Sequence, residues 1–376
     1  MKRAARQGLP AILWVALWLA SLAGARGLPP IQTVFVIVME NQAWSNIKGN
    51  TNAPYINNTL LPMASYCEGY FNVPGLHPSL PNYLWLEAGT NFGITDEDDP
   101  AVYHQNTTNH LVTLLKNAGV SWKAYQENVS GTNLPLTSNG AISARHNPFI
   151  YFDDVTGTNN PTDPYGLAHI RPYSEFHADL TNNTVARYTW LISDDCNDMH
   201  SICGPLTNLV RQGDTWLASE VPKILNSQAY KSGGALFITW DESYDLDTHI
   251  GMIILSPLAK GGGYSNGAYY THSSALRTFQ EIFDVGPWLG DAANATDLSD
   301  LFNAFGLSRV VKLPDGRVEL TAVGVTPGRT NLVQASTDLS GWIPLTTNSV
   351  STNTFIVIDD GATNLNRRFY RLVELP

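Results

Sequence analysis

Thr33-Val34-Phe35-Val36-Ile37-Val38-Met39-Glu40-Asn41 begins as a strand and ends as a site. From Thr33 to Met39 apolar residues run on without polar alternation. That is the pattern of a strand buried on both faces of a sheet. Val120–Tyr125, Tyr188–Ile192, Ala235–Trp240 and Gly251–Leu255 repeat it. Helical spacing lies between them. Asn109–Asn117 sets Leu111, Leu114 and Leu115 on one face. Thr215–Gln228 does so with Trp216, Val221, Ile224 and Leu225 behind Asp214 as N-cap, and His272–Phe283 with Leu276, Phe279 and Ile282. Strands alternating with helices predict an α/β fold, a mostly parallel sheet flanked by helices.

Active sites of such sheets gather beyond the carboxyl ends of the strands. Glu40 and Asn41 follow the first strand, Asp194 and Asp195 the one ending at Ile192, and Asp241 and Glu242 the one ending at Trp240. Like charges brought to one edge repel, and burial raises the cost. A divalent metal ion is the natural compensation. Asp194 to His200 adds Asn197, Asp198 and His200, and carboxylate with imidazole suits zinc or manganese. His272 opens a predicted helix at the same edge, whereas His249, before a strand, reads equally as a loop histidine. Ser79 lies in the turn Pro74-Gly75-Leu76-His77-Pro78-Ser79. A serine hydroxyl needs a base or a metal to become a nucleophile. Ser79 does not lie in a GxSxG elbow, so a lipase-type role for it is not indicated.

The formal net charge is -11, which disfavours a broad nucleic-acid-binding face. A small phosphate-bearing substrate remains compatible, because a metal reverses the local field. Lys2, Arg3 and Arg6, the apolar run Leu9–Leu22 and the small residues Ala23-Gly24-Ala25 read as a signal peptide over 1–25. The run is short for a membrane span. The expectation is a secreted or periplasmic protein without stable membrane insertion. Cys196 and Cys203 flank a short loop and could pair, leaving Cys67 over; spacing alone does not decide it.

The style changes after about Leu307. Val318–Thr321, Leu332–Ala335 and Phe355–Ile358 alternate apolar and polar residues, separated by Pro314-Asp315-Gly316, Pro327-Gly328 and Asp359-Asp360-Gly361. That predicts a small antiparallel, β-sandwich-like accessory module over 310–376, behind a catalytic domain over 28–307. Its partner is unknown.

Five motifs occur in order: Val36–Asn41, His77–Tyr83, Ser193–His200, Thr239–Glu242 and Thr271–Thr278. As an ordered set they resemble the phosphoesterase family of acid phosphatases and bacterial phospholipases C, in the alkaline-phosphatase superfamily. The likeness spans about Thr33 to Asp284. Ser79-Leu80-Pro81-Asn82-Tyr83 is also similar to the nucleophile turn of nucleotide pyrophosphatases. Glu242 stands where those have His, which argues against their two-zinc site. Tyr83 stands where a sulfatase has Arg.

The resemblance implies an alkaline-phosphatase-like fold and named roles. Ser79 would be the nucleophile. Glu40, Asn41, Ser79, Asp241 and Glu242 would hold a divalent ion: Mg, Ca, Mn or Zn, with one or two per chain. Asp194, Asp198, His200 and His272 would surround the phosphate or a second ion, with His200 or His272 as proton donor. The expected activity is acid-phosphatase-like hydrolysis of a small phosphoester through a phosphoserine. Phospholipase C or another phosphodiesterase is the alternative within the class, and an inactive ligand- or surface-binding protein is the alternative outside it.

Overall fold

The computed structural model describes residues 27–375 apart from 141, 245–247 and 366. The segment read as a signal peptide lies outside the described residues.

Among the described residues one sheet takes nine strands. They are β1 (Thr33–Met39), β2 (Ser65–Phe71), β3 (Trp122–Gln126), β4 (Ile170–Pro172), β5 (Tyr188–Ile192), β6 (Gly234–Trp240), β7 (His249–Leu255), β8 (Tyr264–Asn266) and β9 (Tyr270–Thr271). The order is β4-β3-β5-β1-β6-β7-β2-β8, with β9 also on β2. All pairings are parallel except those of β7, which runs against both β6 and β2. The sequence reading placed Gly251–Leu255 among the parallel strands. The reversal has a simple cause: the link from Trp240 to His249 is too short for a crossover, so the chain must double back. The carboxyl ends of β1, β2, β5, β6 and β9 therefore share one edge with the start of β7.

Every residue of β1 and β6 is buried, as expected of central strands. Phe35 and Phe237 lie on opposite faces of the sheet, since Phe237 is in register with Val36 and side chains alternate. Phe35 packs on Phe176 of the helix Tyr173–Asn182, and Phe237 on Phe279 of the helix His272–Phe283. Both faces are thus covered, each large side chain contributing about 1.5–3 kcal/mol by burial.

The helix predicted over Thr215–Gln228 starts earlier, at Leu209, capped by Asn208 accepting from Arg211 N. Asp214 is not its cap. It lies inside the helix, and its carboxylate accepts from the backbone amides of Tyr55 and Ile56. Thr271 caps the helix His272–Phe283 through a reciprocal bond with Ser274. Cys196 and Cys203 are disulfide-bonded, and Cys67 is free and buried.

Beyond the main sheet follow β10 (Gly306–Lys312), β11 (Val318–Val323), β12 (Thr330–Ser336), β13 (Ile343–Ser349), β14 (Thr354–Asp359) and β15 (Phe369–Glu374). They form two antiparallel sheets, β10-β11-β14 and β13-β12-β15, around a small core of Leu320, Val333 and Val357.

Gly251 on β7 lies beneath the buried Trp44 ring, and a Cβ there would approach Trp44 Cε3 to 2.2 Å. Trp44 is held on its other sides by Trp240 and by a bond to Glu68, so it has little room to yield. Gly251→Ala should cost about 1–3 kcal/mol, the usual penalty of overpacking. Urea unfolding would show a lower midpoint at unchanged slope; an unchanged midpoint would contradict this packing.

Candidate active site

β1 delivers Glu40 to the sheet edge fully buried. Its Oε2 accepts from Ser79 Oγ at 3.0 Å and from Asn41 Nδ2 at 3.1 Å, and its Oε1 from the Tyr83 hydroxyl at 2.7 Å. Asn41 takes a left-handed backbone (φ 51), which Asn tolerates better than most residues. This turn aims its amide at Asp241 Oδ1, 3.1 Å away, tying the end of β1 to the end of β6. Ser79 opens the helix Ser79–Ala88, and its amide donates to Glu97 Oε1 at 3.0 Å. Glu242 accepts from Asn82 Nδ2 at 2.9 Å and pairs with His77 Nδ1 at 2.8 Å. Glu40, Asn41, Ser79, Asp241 and Glu242 thus lie together.

A second group meets Glu40 from the other side. His146 is buried and stacked on Tyr83. Its Nε2 lies 3.2 Å from Glu40 Oε1 and its Nδ1 3.1 Å from Asp198 Oδ2 and 3.6 Å from Asp195 Oδ1. The sequence reading did not single out His146. It sits in the irregular stretch Ala144-Arg145-His146-Asn147-Pro148, where no periodicity marks it. Its one signal is a histidine and an arginine together before an Asn-Pro turn.

Asp194 and Asp195 exchange their expected parts. Asp194 braces its own loop, with its carboxylate accepting from the amides of Cys196 and Asn197 and from Asn128 Nδ2. Asp195 instead faces His146 and accepts from Ser143 Oγ at 2.8 Å. Neighbouring acidic residues point opposite ways, and sequence alone does not say which points inward. Asp198 joins the cluster and accepts from the His200 amide at 2.8 Å. Met199 between them is fully buried against Gly213, where a Cβ would come within 2.4 Å of it. That contact seats the loop on the helix Leu209–Asn226. His200 is half-buried, between Arg145 Nη2 at 3.3 Å and Ser201 Oγ at 3.0 Å.

His272 is fully buried behind the cluster. Its Nε2 lies 2.6 Å from the Asp241 carbonyl oxygen, to which only an N–H can donate, and its Nδ1 is then left to accept from the Tyr70 hydroxyl at 3.2 Å. Both ring nitrogens are engaged, and burial pushes its pKa down to about 4. This geometry does not suit the expected proton donor; it suits a brace for the backbone at Asp241. His249, at the start of β7, stacks on Phe71 and contacts the Glu68 carbonyl.

The electrostatics call for a cation. Burial first, then Asp241 and Asp198, raise Glu40 well above the usual carboxylate range. Burial also raises Asp198, lifts Asp241 to about 7 and lifts Glu242 to about 9. It holds His146 down to about 3, aided by the Arg145 charge. A neutral imidazole has one bare nitrogen, so His146 sets a lone pair against a carboxyl oxygen unless Glu40 or Asp198 carries a proton there. In line with this, both His146 nitrogens, Asp195 Oδ1, Asp198 Oδ2 and Asp241 Oδ2 are buried without aligned hydrogen-bond partners. Glu40 with His146 and His200, and His146 with Asp195 and Asp198, bring their ligand atoms close enough to share an ion. These residues could hold a metal.

Serine, carboxylates and imidazoles so arranged at a sheet edge mark a hydrolase acting on phosphoric esters, and the chain's relatives carry such names. A phosphatidylinositol-3-phosphatase of Mycobacterium tuberculosis is 26% identical over 78% of this chain and 92% of its own length. A probable acid phosphatase of Kluyveromyces lactis is 25% identical over 78% of this chain and 70% of its own. A phospholipase C A of Mycobacterium tuberculosis is 26% identical over 49% and 34%. A solved structure from the alkaline phosphatase superfamily of Vibrio parahaemolyticus aligns over 86% of this chain and 84% of that one, at 10% identity and a TM-score of 0.48. The profile of the Phosphoesterase family matches residues 62–286, and the chain belongs to that family.

Raised carboxylate pKa values mean that the folded, metal-free protein binds protons the unfolded chain has released. Above about pH 6.5, where His146 and His272 are neutral in the folded and the unfolded chain alike, stability falls as pH rises toward 7 through Asp241 and toward 9 through Glu242. A divalent ion replaces those protons, so the stabilisation it gives should grow over the same window. Melting temperatures of chelator-treated protein from about pH 6.5 to 9, with and without magnesium or manganese, check this. A metal-free melting temperature that rises with pH across that window would contradict it.

Proposed function

We propose that this protein is a secreted acid phosphatase that hydrolyses phosphate monoesters through a phosphorylated Ser79. The observation that carries the reading is Ser79 Oγ donating to the buried Glu40 within a crowded cluster of buried carboxylates that no lysine reaches among the described residues. The relatives support a monoester. The two that cover 78% of this chain are named a phosphatidylinositol-3-phosphatase and a probable acid phosphatase, whereas the phospholipase C likenesses cover 49% and 69%. Export rests on the basic, apolar and small residues of 1–25. We take residues 28–307 as the catalytic domain and 310–376 as an accessory module.

Glu40, Asn41, Ser79, Asp241 and Glu242 would hold one divalent ion, and Asp198, His146 and Asp195 a second. Such an ion supplies charge to polarise phosphoryl oxygens and to favour the serine alkoxide. The chain's own residues do the rest. Ser79 Oγ bonds to phosphorus and gives its proton toward Glu40 Oε2. The bond from phosphorus to the ester oxygen breaks, and His200, once protonated on the nitrogen that otherwise accepts from Arg145, gives that oxygen a proton. Water then adds to the phosphoseryl group and gives one proton to His200, inorganic phosphate leaves, and Ser79 regains its proton from Glu40. His272 and Tyr70 act behind the site by holding the Asp241 backbone.

Ser79→Ala should abolish hydrolysis of p-nitrophenyl phosphate and leave bound metal nearly unchanged, as initial rates and metal content would show. Near-normal activity in that variant would remove the nucleophile. A wild-type protein with neither metal nor phosphoesterase activity would instead support a binding protein. His200→Gln should slow alkyl phosphates by about 10²–10⁴-fold, the usual worth of a general acid. It should slow p-nitrophenyl phosphate far less, because nitrophenolate leaves without a proton. Equal losses on both esters would exclude the acid role.

A further inference from the structure

Seven carboxylates, those of Glu40, Glu97, Asp194, Asp195, Asp198, Asp241 and Glu242, lie at or beside the sheet edge. A phosphate monoester is itself an anion. Whatever ion the carboxylates hold is largely spent on balancing them, so a substrate with two negative charges needs a further positive group. Among the described residues, Arg145 is the one Lys or Arg side chain in an ion pair or hydrogen bond with this cluster.

Its position fits that need. Glu97 Oε1 accepts the Ser79 amide at 3.0 Å and lies 3.3 Å from Arg145 Nε, so one oxygen spans the nucleophile and the guanidinium. On the other side Arg145 Nη2 meets His200 Nε2. The head group is therefore held between Ser79 and the proposed proton donor. It is not consumed there. The Nε atom is buried but not aligned on Glu97, and Nη1 makes no hydrogen bond among the described residues. The side chain is 18% exposed, enough to meet a ligand and too little to swing freely. Guanidinium donors match phosphate oxygens in geometry and make strong charge-assisted bonds to them.

We propose that Arg145 binds the non-bridging oxygens of the substrate phosphate and selects a monoester dianion over a diester monoanion. The inference rests on the phosphatase reading above and adds the residue that sets its substrate class. A dianion gains more than a monoanion from one fixed positive charge, and a diester replaces one of the charged oxygens with a second ester group. Arg145 is a substrate-binding residue here and takes no part in proton transfer.

The test uses the full chain loaded with its metal at pH 7, where phosphate monoesters are mostly dianionic. Arg145→Gln should lower kcat/KM for p-nitrophenyl phosphate by about 10²-fold, the scale of a lost charge-assisted contact. Bis(p-nitrophenyl) phosphate should change only about threefold or less, and inorganic phosphate should inhibit more weakly. Arg145→Lys keeps the charge and should recover part of the monoester rate. Melting temperature and metal content, measured on each variant, confirm that the compared proteins are folded and loaded. Equal losses on both esters, or a Lys variant no better than Gln in a folded protein, would overturn the assignment. If the wild type hydrolyses neither ester, the phosphatase reading itself has failed. Calorimetric binding of inorganic phosphate then decides Arg145 separately: retained affinity in Arg145→Gln overturns its role, and loss supports it.

Discussion

The site depends on one unfavourable interaction, the crowding of buried carboxylates at one edge of the sheet. Strand ends bring Glu40 and Asp241 there, and the loop after β5 adds Asp195 and Asp198. Burial removes the water that would solvate them, and no lysine reaches the cluster among the described residues. The protein answers in two ways. Without metal the carboxyls keep protons well above their ordinary range. With a divalent ion those protons give way to the cation. The same arrangement places Ser79 against Glu40, so the electrostatic problem and the activation of the nucleophile have one solution. Glu97 fixes the Ser79 amide in that placement.

Much of the fold was legible because buried parallel strands need continuous apolar runs. Thr33–Met39 and Gly234–Trp240 are such runs, and the residues after them gave the carboxylates at the edge. β2 was not legible: Glu68 and Gly69 interrupt it, and a register shift between Cys67 and Tyr70 breaks its alternation. The direction of β7 was legible in principle, since the link before it is too short for a crossover. β13 and β15 escaped notice because neither contains a fully buried residue to set the alternation, as expected of edge strands in a small sandwich.

The site was legible in the same uneven way. Residues on strand ends could be placed from the strand alone. Those on irregular loops could not, which is why His146 and Arg145 went unseen and Asp194 was preferred to its neighbour Asp195. His272 shows the opposite error. Its position at the edge was right, but only atomic contacts reveal that both ring nitrogens point inward to Tyr70 and to the Asp241 backbone.

The central claim is that the carboxylate cluster is a cation site holding protons when metal-free. Calorimetric titration of chelator-treated protein with manganese at pH 6, repeated in buffers of different ionisation enthalpy, measures both features at once. The account predicts saturable binding with net proton release that is lost or sharply reduced in Asp241→Asn. Absence of binding, or binding that releases no protons and survives that substitution, would contradict it.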